Sequence, residues 1–228
     1  MNILDLIFPK RCVSCGALGQ YICTTCRRSM RHIAVNEAIC PICERPAIDG
    51  ATHPRCKSRF SLDGLTSFFH YDAAVRHAVK SLKYRHVSDL AGEFVSQISS
   101  IHLSHIQERV ASQDAILIPI PLHITRMRER GYNQAEVLGM QVAQVLSVPI
   151  FVDVMYRMRA TVPQVATKSR KERLRNMNGV FSLKQVSVVG KTIILFDDVF
   201  TTGATMRSAA NVLKRAGARK VWAVTMAR

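Results

Sequence analysis

No cysteine follows Cys56, aromatic residues make up only 7% of the chain, and there is a single tryptophan. Acidic residues are scarce as well: 16 Asp and Glu stand against 32 Lys and Arg, a formal charge of +16. No apolar run approaches the roughly 20 residues that a membrane helix needs. Each shortage excludes something. Confined to the first quarter of the chain, the cysteines cannot supply a disulfide framework for the rest. So few rings leave no obvious platform for stacking bases, and any affinity for nucleic acid would rest on charge. The missing apolar run argues against membrane insertion. The segment Met1–Pro9 is too short and too acidic for the apolar part of a signal peptide, so a reducing, cytoplasmic setting is expected. What is abundant fits a folded protein: 48% of residues are apolar, enough for a core. The basic excess favours an anionic partner, whether nucleic acid, a phosphorylated metabolite or a membrane surface, with a merely solvated basic face as the bland alternative.

The seven cysteines are grouped as Cys12/Cys15, Cys23/Cys26, Cys40/Cys43 and the single Cys56. An odd number in Cys-x-x-Cys pairs points to metal ligation rather than disulfides. Cys12, Cys15, Cys23 and Cys26 suit a tetrahedral all-thiolate zinc site, with a rubredoxin-like iron site as the alternative. Cys40, Cys43, His53 and Cys56 would make a second site of three thiolates and one imidazole, unless His53 is a surface histidine beside Pro54. The knuckles can pair as neighbours or alternate, Cys12/Cys15 with Cys40/Cys43. A module of this size buries little core and commonly needs metal to fold. With both sites filled by Zn2+ the formal charge falls to about +13, still strongly basic.

Composition changes near residue 60, which suggests a zinc-binding module over 1–60 and a larger domain over 61–228. In the second part, apolar strands alternate with amphipathic helices. Strands are expected at Leu65–Tyr71, Ala115–Ile120, Pro149–Met155, Ile193–Phe196 and Lys220–Met226. Helices are expected from Ala73 to about Arg85, from Asp89 to near His102, over Asn133–Leu146 and over Ala204–Ala216. This alternation indicates an α/β fold with a parallel sheet covered by helices.

The most informative segment runs Ile193-Ile194-Leu195-Phe196-Asp197-Asp198-Val199-Phe200-Thr201-Thr202-Gly203-Ala204-Thr205. A buried strand ends in two carboxylates, and a hydroxyl- and glycine-bearing loop then opens a helix. In a parallel sheet such a loop lies at the carboxyl edge, where ligands collect. Backbone amides at a helix start make an anion site, Gly203 lets the chain approach a phosphate, and the threonines add donors. Asp197 and Asp198 would repel that phosphate unless they accept hydrogen bonds from ribose hydroxyls, with a divalent cation such as Mg2+ screening the rest. Phosphoribosyl pyrophosphate (PRPP) combines a 5-phosphate, vicinal hydroxyls and a metal-bound leaving group. The plain alternative is a strand–loop–helix in which Asp198 and Thr201 merely cap the helix.

A leaving pyrophosphate needs cations. Pro119–Gln134 reads as a strand end entering an arginine-dense loop with Arg126, Arg128 and Arg130, and Arg157–Arg175 forms a second basic run. Lys83, at the end of a basic helix, is a further phosphate candidate. No convincing general base is visible, and no specificity loop announces a purine or a pyrimidine.

The 193–205 segment resembles the PRPP motif of type I phosphoribosyltransferases. The chain as a whole resembles the ComF family, of which GntX is a close member. The matching pieces are the Leu-Ile-Phe-Pro-Lys-Arg-Cys12 opening, the Cys-x-x-Cys pairs, Leu82-Lys83-Tyr84, and Ile118 to Leu122. They continue with Arg130-Gly131-Tyr132-Asn133-Gln134, Pro163-Gln164, Arg173 to Asn176 and the acidic-threonine loop. One departure is Arg59, standing where family members often complete a last Cys-x-x-Cys with Cys56. The resemblance implies a type I phosphoribosyltransferase-like domain behind a zinc-ribbon module, in a cytoplasmic protein supporting natural transformation. It implies PRPP with Mg2+ as ligand, structural zinc, and contact with incoming single-stranded DNA and competence-machinery proteins such as a DNA helicase. By this reading Asp197 and Asp198 hold the ribose as the catalytic pair. Thr201, Thr202, Gly203, Ala204 and Thr205 seat the 5-phosphate. Alternatives from other classes are a non-catalytic DNA-binding adaptor on the same fold and a nucleotide-salvage enzyme.

Overall fold

The computed structural model describes residues 9–82, 88–110, 114–158, 179–184 and 187–228. Lys83, Tyr84 and most of the second basic run, including Pro163-Gln164 and Arg173 to Asn176, lie outside the described residues.

After α1 (Thr24–Ser29) in the cysteine-rich part come β1 (Gly64–Phe69), α2 (Ala73–Ser81), α3 (Ser88–Val95), α4 (Ser100–Val110) and β2 (Ala115–Pro119). They are followed by α5 (Ile124–Arg130), α6 (Gln134–Leu146), β3 (Met155–Arg157), β4 (Phe181–Leu183), β5 (Thr192–Val199), α7 (Ala204–Arg215) and β6 (Lys220–Ala227). The sheet is parallel throughout in the order β1-β6-β5-β2, and β3 pairs antiparallel with β4 apart from it.

The strands are near-continuous apolar runs because both faces are covered. Along β5, Ile194 and Phe196 enter a core shared with Phe94 of α3 and Leu138 of α6, whereas Ile193 and Leu195 enter one shared with Leu213 of α7 and Val154. Capping sets the helix starts. Asp72 Oδ1 accepts from the Val75 amide at 3.1 Å ahead of α2, and Asn133 Oδ1 accepts from the Ala135 amide at 3.2 Å ahead of α6.

Four expectations change. The helix expected from Asp89 is two, α3 and α4, separated at 96–99. There Ser96 Oγ and Gln97 Nε2 both donate to the Glu93 carbonyl at 2.8 Å, side-chain bonds that compete with continuation of the helix. The expected arginine loop is largely the helix α5, ended by Gly131 at φ 77°. In place of a strand over Pro149–Met155, residues near Ile150 bridge to Leu117 at the edge of the sheet, and β3 begins only at Met155. Finally, β5 runs past the expected end at Phe196 through Asp197 and Asp198 to Val199, so both carboxylates stand on the strand.

The cysteine-rich part is packed onto the sheet domain. Ile22 and Met30 join the larger core, and the Ile22 amide donates to Glu93 at 3.0 Å. The Thr52 amide donates to the Asp63 carbonyl at 2.9 Å, and Ala51 bridges to Gly64 of β1.

Candidate functional site

The ligating atoms of Cys12, Cys15, Cys23 and Cys26 all lie within 4.8 Å of one another, as do those of Cys40, Cys43, His53 and Cys56. Neighbouring knuckles therefore pair, and they do not alternate. Tetrahedral zinc with bonds of about 2.3 Å to sulfur puts neighbouring sulfurs about 3.8 Å apart, and Cys15 Sγ lies 3.5 Å from Cys23 Sγ. His53 Nδ1 faces Cys43 Sγ at 3.3 Å, and its Nε2 lies 3.0 Å from the Pro46 carbonyl. A carbonyl only accepts, so Nε2 donates to Pro46 and Nδ1 is the nitrogen turned toward the thiolates, the usual outer support of a zinc-bound imidazole. The donor sets fit zinc. The knuckle backbone favours thiolate too: burial raises the Cys12 thiol, but amides of Cys23, Cys15 and Ser14 outweigh it and bring it to about 6. Cys40 is lowered in the same way against its burial, by the amides of Cys43, His53 and Ile42.

The acidic-threonine loop stands at the carboxyl edge of the sheet, between β5 and α7. Asp197 pairs in register with Thr225 of β6, and the Asp198 amide donates to Asp197 Oδ1 at 2.9 Å. Asp197 continues the alternation of Ile193 and Leu195, which enter the core shared with α7. Phe200 is anchored by its amide, which donates to the Ala227 carbonyl at 2.8 Å. Gly203 caps α7 at φ 65°, in the left-handed region, and a Cβ there would fall 2.5 Å from the Phe200 ring. Thr201 is exposed, Thr202 and Thr205 are half-buried, and Gly203 and Ala204 are buried. Thr202 Oγ1 is buried and makes no hydrogen bond among the described residues, an arrangement native structures rarely leave unexplained.

Strands β2 and β5 are neighbours, so the segment after β2 reaches the same edge; the Ile120 amide donates to the Phe196 carbonyl at 2.8 Å. That segment carries α5 with half-buried Arg126 and Arg130 and exposed Arg128. Arg130 Nη1 donates to Gln134 Oε1 at 2.8 Å.

Comparison with known proteins adds three findings. A double zinc ribbon domain matches residues 3–57, and a phosphoribosyl transferase domain matches residues 133–228. Competence protein ComFC of Bacillus subtilis is 30% identical over 203 residues, which span 86% of this chain and 79% of that protein. DNA utilization protein YhgH of Escherichia coli O157:H7 is 30% identical over 228 residues, 95% of this chain and 96% of the relative. The chain belongs to the ComF family. Competence protein F of Haemophilus influenzae, at 32% identity over 114 residues and 49% of each chain, is a further relative.

Within this ComF-family chain, the Arg-Gly-Tyr-Asn-Gln stretch proves largely architectural. Tyr132 Oη donates to the Leu82 carbonyl, and Asn133 Nδ2 donates to the Ile120 carbonyl at 3.0 Å while its Oδ1 caps α6. These bonds tie the ends of α2 and β2 to the start of α6.

Two further arginines belong to the site, one from the second basic run and one with no sequence signal. Arg157, on β3, is half-buried, stacks on Phe181 at 5.6 Å and bridges to His123, just ahead of α5. Burial holds its guanidinium below the usual arginine range and nearby Arg126 adds to this, while Asp197 acts the other way. Arg157, Arg126 and Asp197 therefore share one electrostatic neighbourhood. Arg207, one turn into α7, donates through Nη2 to the Thr202 carbonyl at 3.0 Å and through Nη1 to the Ile42 carbonyl at 3.1 Å. Arg157 opens the basic run noted in the sequence; nothing in the sequence distinguishes Arg207 from other helix arginines.

Proposed function

We propose that this protein binds PRPP with Mg2+ at the β5–α7 loop and acts, as a ComF-like phosphoribosyltransferase-family protein, on incoming single-stranded DNA during natural transformation. In this reading residues 1–60 form the zinc module and 61–228 the PRPP-binding unit. The ribose sits against Asp197 and Asp198, and the 5-phosphate on the amides and hydroxyls of Thr201–Thr205. The pyrophosphate faces Arg126, Arg128 or Arg130, with Lys83 as a further contact. Arg157 adds a cation to that group.

The observation that carries this reading is the loop itself. Two carboxylates end a buried parallel strand, and a left-handed glycine with no side-chain cap turns the chain directly into a helix, whose start is a place for an anion. The Thr202 hydroxyl, without a hydrogen bond among the described residues, supports it, because a phosphate oxygen would supply a partner. Oxygen donors such as Asp197 and Asp198 suit Mg2+, which would screen them from the ligand's phosphates. Charge does the chemistry in such sites: the sugar becomes oxocarbenium-like as pyrophosphate departs, and carboxylates on one side with arginines on the other stabilise that separation. The competence and DNA utilization relatives supply the link to DNA, and the formal +16 supports a polyanionic partner.

Calorimetry with PRPP and Mg2+ tests the proposal. Binding is expected, and it should be lost when Asp197→Ala is combined with Asp198→Ala. No binding to the wild type, or unchanged binding in the double variant, would sink it. The basic charge also favours a second reading, a non-catalytic DNA-binding adaptor. Its signature is single-strand affinity that falls steeply with salt, and negligible affinity near physiological salt excludes it.

A further inference from the structure

We infer that the second zinc ribbon clamps the phosphate loop from behind, and that Arg207 is the positioning residue that couples the two. The inference rests on the PRPP reading for the identity of the ligand, but the clamp can be observed without any ligand.

Three contacts carry it. Arg207 joins the Thr202 carbonyl, in the loop, to the Ile42 carbonyl, inside the Cys40–Cys43 knuckle, across a sequence separation of 165 residues. The Pro41 carbonyl, in the same knuckle, lies 3.3 Å from where a Gly203 Cβ would be, so ribbon backbone packs against the loop's left-handed residue. The Arg207 amide donates to the Gly203 carbonyl at 2.8 Å, which sets the arginine in the first turn of the helix that the loop opens. The first ribbon faces elsewhere: Ser14 meets His77 of α2 at 3.3 Å, and Ile22 is bonded to Glu93 of α3.

The Ile42 carbonyl keeps its place only while the knuckle keeps its shape. The Cys40 carbonyl accepts from the Glu44 amide at 2.9 Å, and the thiols of Cys40 and Cys43 converge with His53 and Cys56. A ribbon this small depends on its metal for that convergence. Without zinc at the second site, the planar fork of Arg207 loses Ile42 as a fixed acceptor, and the Thr202 carbonyl loses a fixed donor. The loop amides are then no longer held ready for a phosphate, and preorganisation of this kind governs affinity. Linkage makes the effect mutual, so a ligand that orders the loop tightens zinc at the second site.

Hydrogen exchange of the 199–207 segment in the full zinc-loaded chain is the first test. His53→Ala and Arg207→Ala should each raise exchange there about tenfold, the scale of ordinary coupling between sites. Their combination should raise it no further. Cys15→Ser, in the first ribbon, should leave the segment unchanged. Arg207→Lys should restore part of the protection, which a loss of packing alone would not explain. In the second test, PRPP with Mg2+ should bind Arg207→Ala about tenfold more weakly at unchanged zinc content. It should also slow chelator extraction of zinc from the second site in the wild type but not in Arg207→Ala. Unchanged loop exchange in Arg207→Ala overturns the inference, as does equal exchange in His53→Ala and the wild type. If His53→Ala does not fold, the Arg207→Ala and Arg207→Lys pair decides. If the exchange pattern holds while the wild type fails to bind PRPP, the clamp stands and the PRPP reading falls.

Discussion

Replacing Gly203 by alanine probes how tightly the loop is built. The backbone there has φ 65°, where an L-residue with a Cβ costs about 1–2 kcal/mol. The added methyl would also meet the Phe200 ring at 2.5 and 2.7 Å, and that ring is buried and tied to the strand by its own amide. Overpacking of this kind costs about 1–3 kcal/mol, so the two effects together come to about 2–5 kcal/mol. Urea denaturation at fixed saturating zinc measures the loss. In a Phe200→Ala background the ring is gone, and Gly203→Ala should then cost mainly the backbone part, about 1–2 kcal/mol, with the Pro41 carbonyl at 3.3 Å as the remaining close contact. A Gly203→Ala stability within about 0.5 kcal/mol of the wild type, the range of an inconsequential surface change, would mean that neither the left-handed backbone nor the Phe200 ring constrains this position. An identical cost in both backgrounds would refute the packing part.

Metal analysis should find two zinc ions per chain; His53→Ala should retain one, and His53→Cys should keep both. Burial holds the His102 imidazole below its ordinary range, with His32 and His105 adding repulsion, while Nε2 meets the Ile33 carbonyl at 2.7 Å. The unfolded chain then takes up a proton near pH 6.5 before the folded one does, so stability falls as pH drops through that value. His102→Asn should flatten this slope in melting curves recorded with zinc content checked in parallel; an unaltered slope assigns the effect to another group. Arg157→Ala should weaken PRPP binding about tenfold, in line with the worth of a charge-assisted hydrogen bond, whereas exposed Arg128→Ala should change it less than about threefold. Equal effects in calorimetry would remove Arg157 from its special place.

The parts of the fold that were legible are those where burial writes a local pattern. Ile193 to Phe196 and Ala115 to Pro119 are read as strands because both faces are covered, which leaves unbroken apolar runs. Asn133 before an amphipathic run marks the start of α6 because its cap is local. Helix α5 was hidden because it is short, between His123 and Gly131, and its charged residues obscure any apolar stripe. The break between α3 and α4 was hidden because apolar spacing continues across Ser96–Ser99 while side chains take over the backbone acceptors. At the site, Asp197 to Gly203 is readable because strand, turn and helix start adjoin in the chain. The second metal set is readable as composition, yet only the fold turns His53 Nδ1 toward Cys43. The link from Arg207 to Ile42 is long-range contact with no local pattern to announce it.

The most direct measurement is a crystal structure of the zinc-loaded protein with PRPP and Mg2+. The 5-phosphate is expected against the amides of Thr201–Thr205, with the ribose hydroxyls toward Asp197 and Asp198. Ligand density elsewhere on the chain, or none at saturating concentration, would contradict this placement.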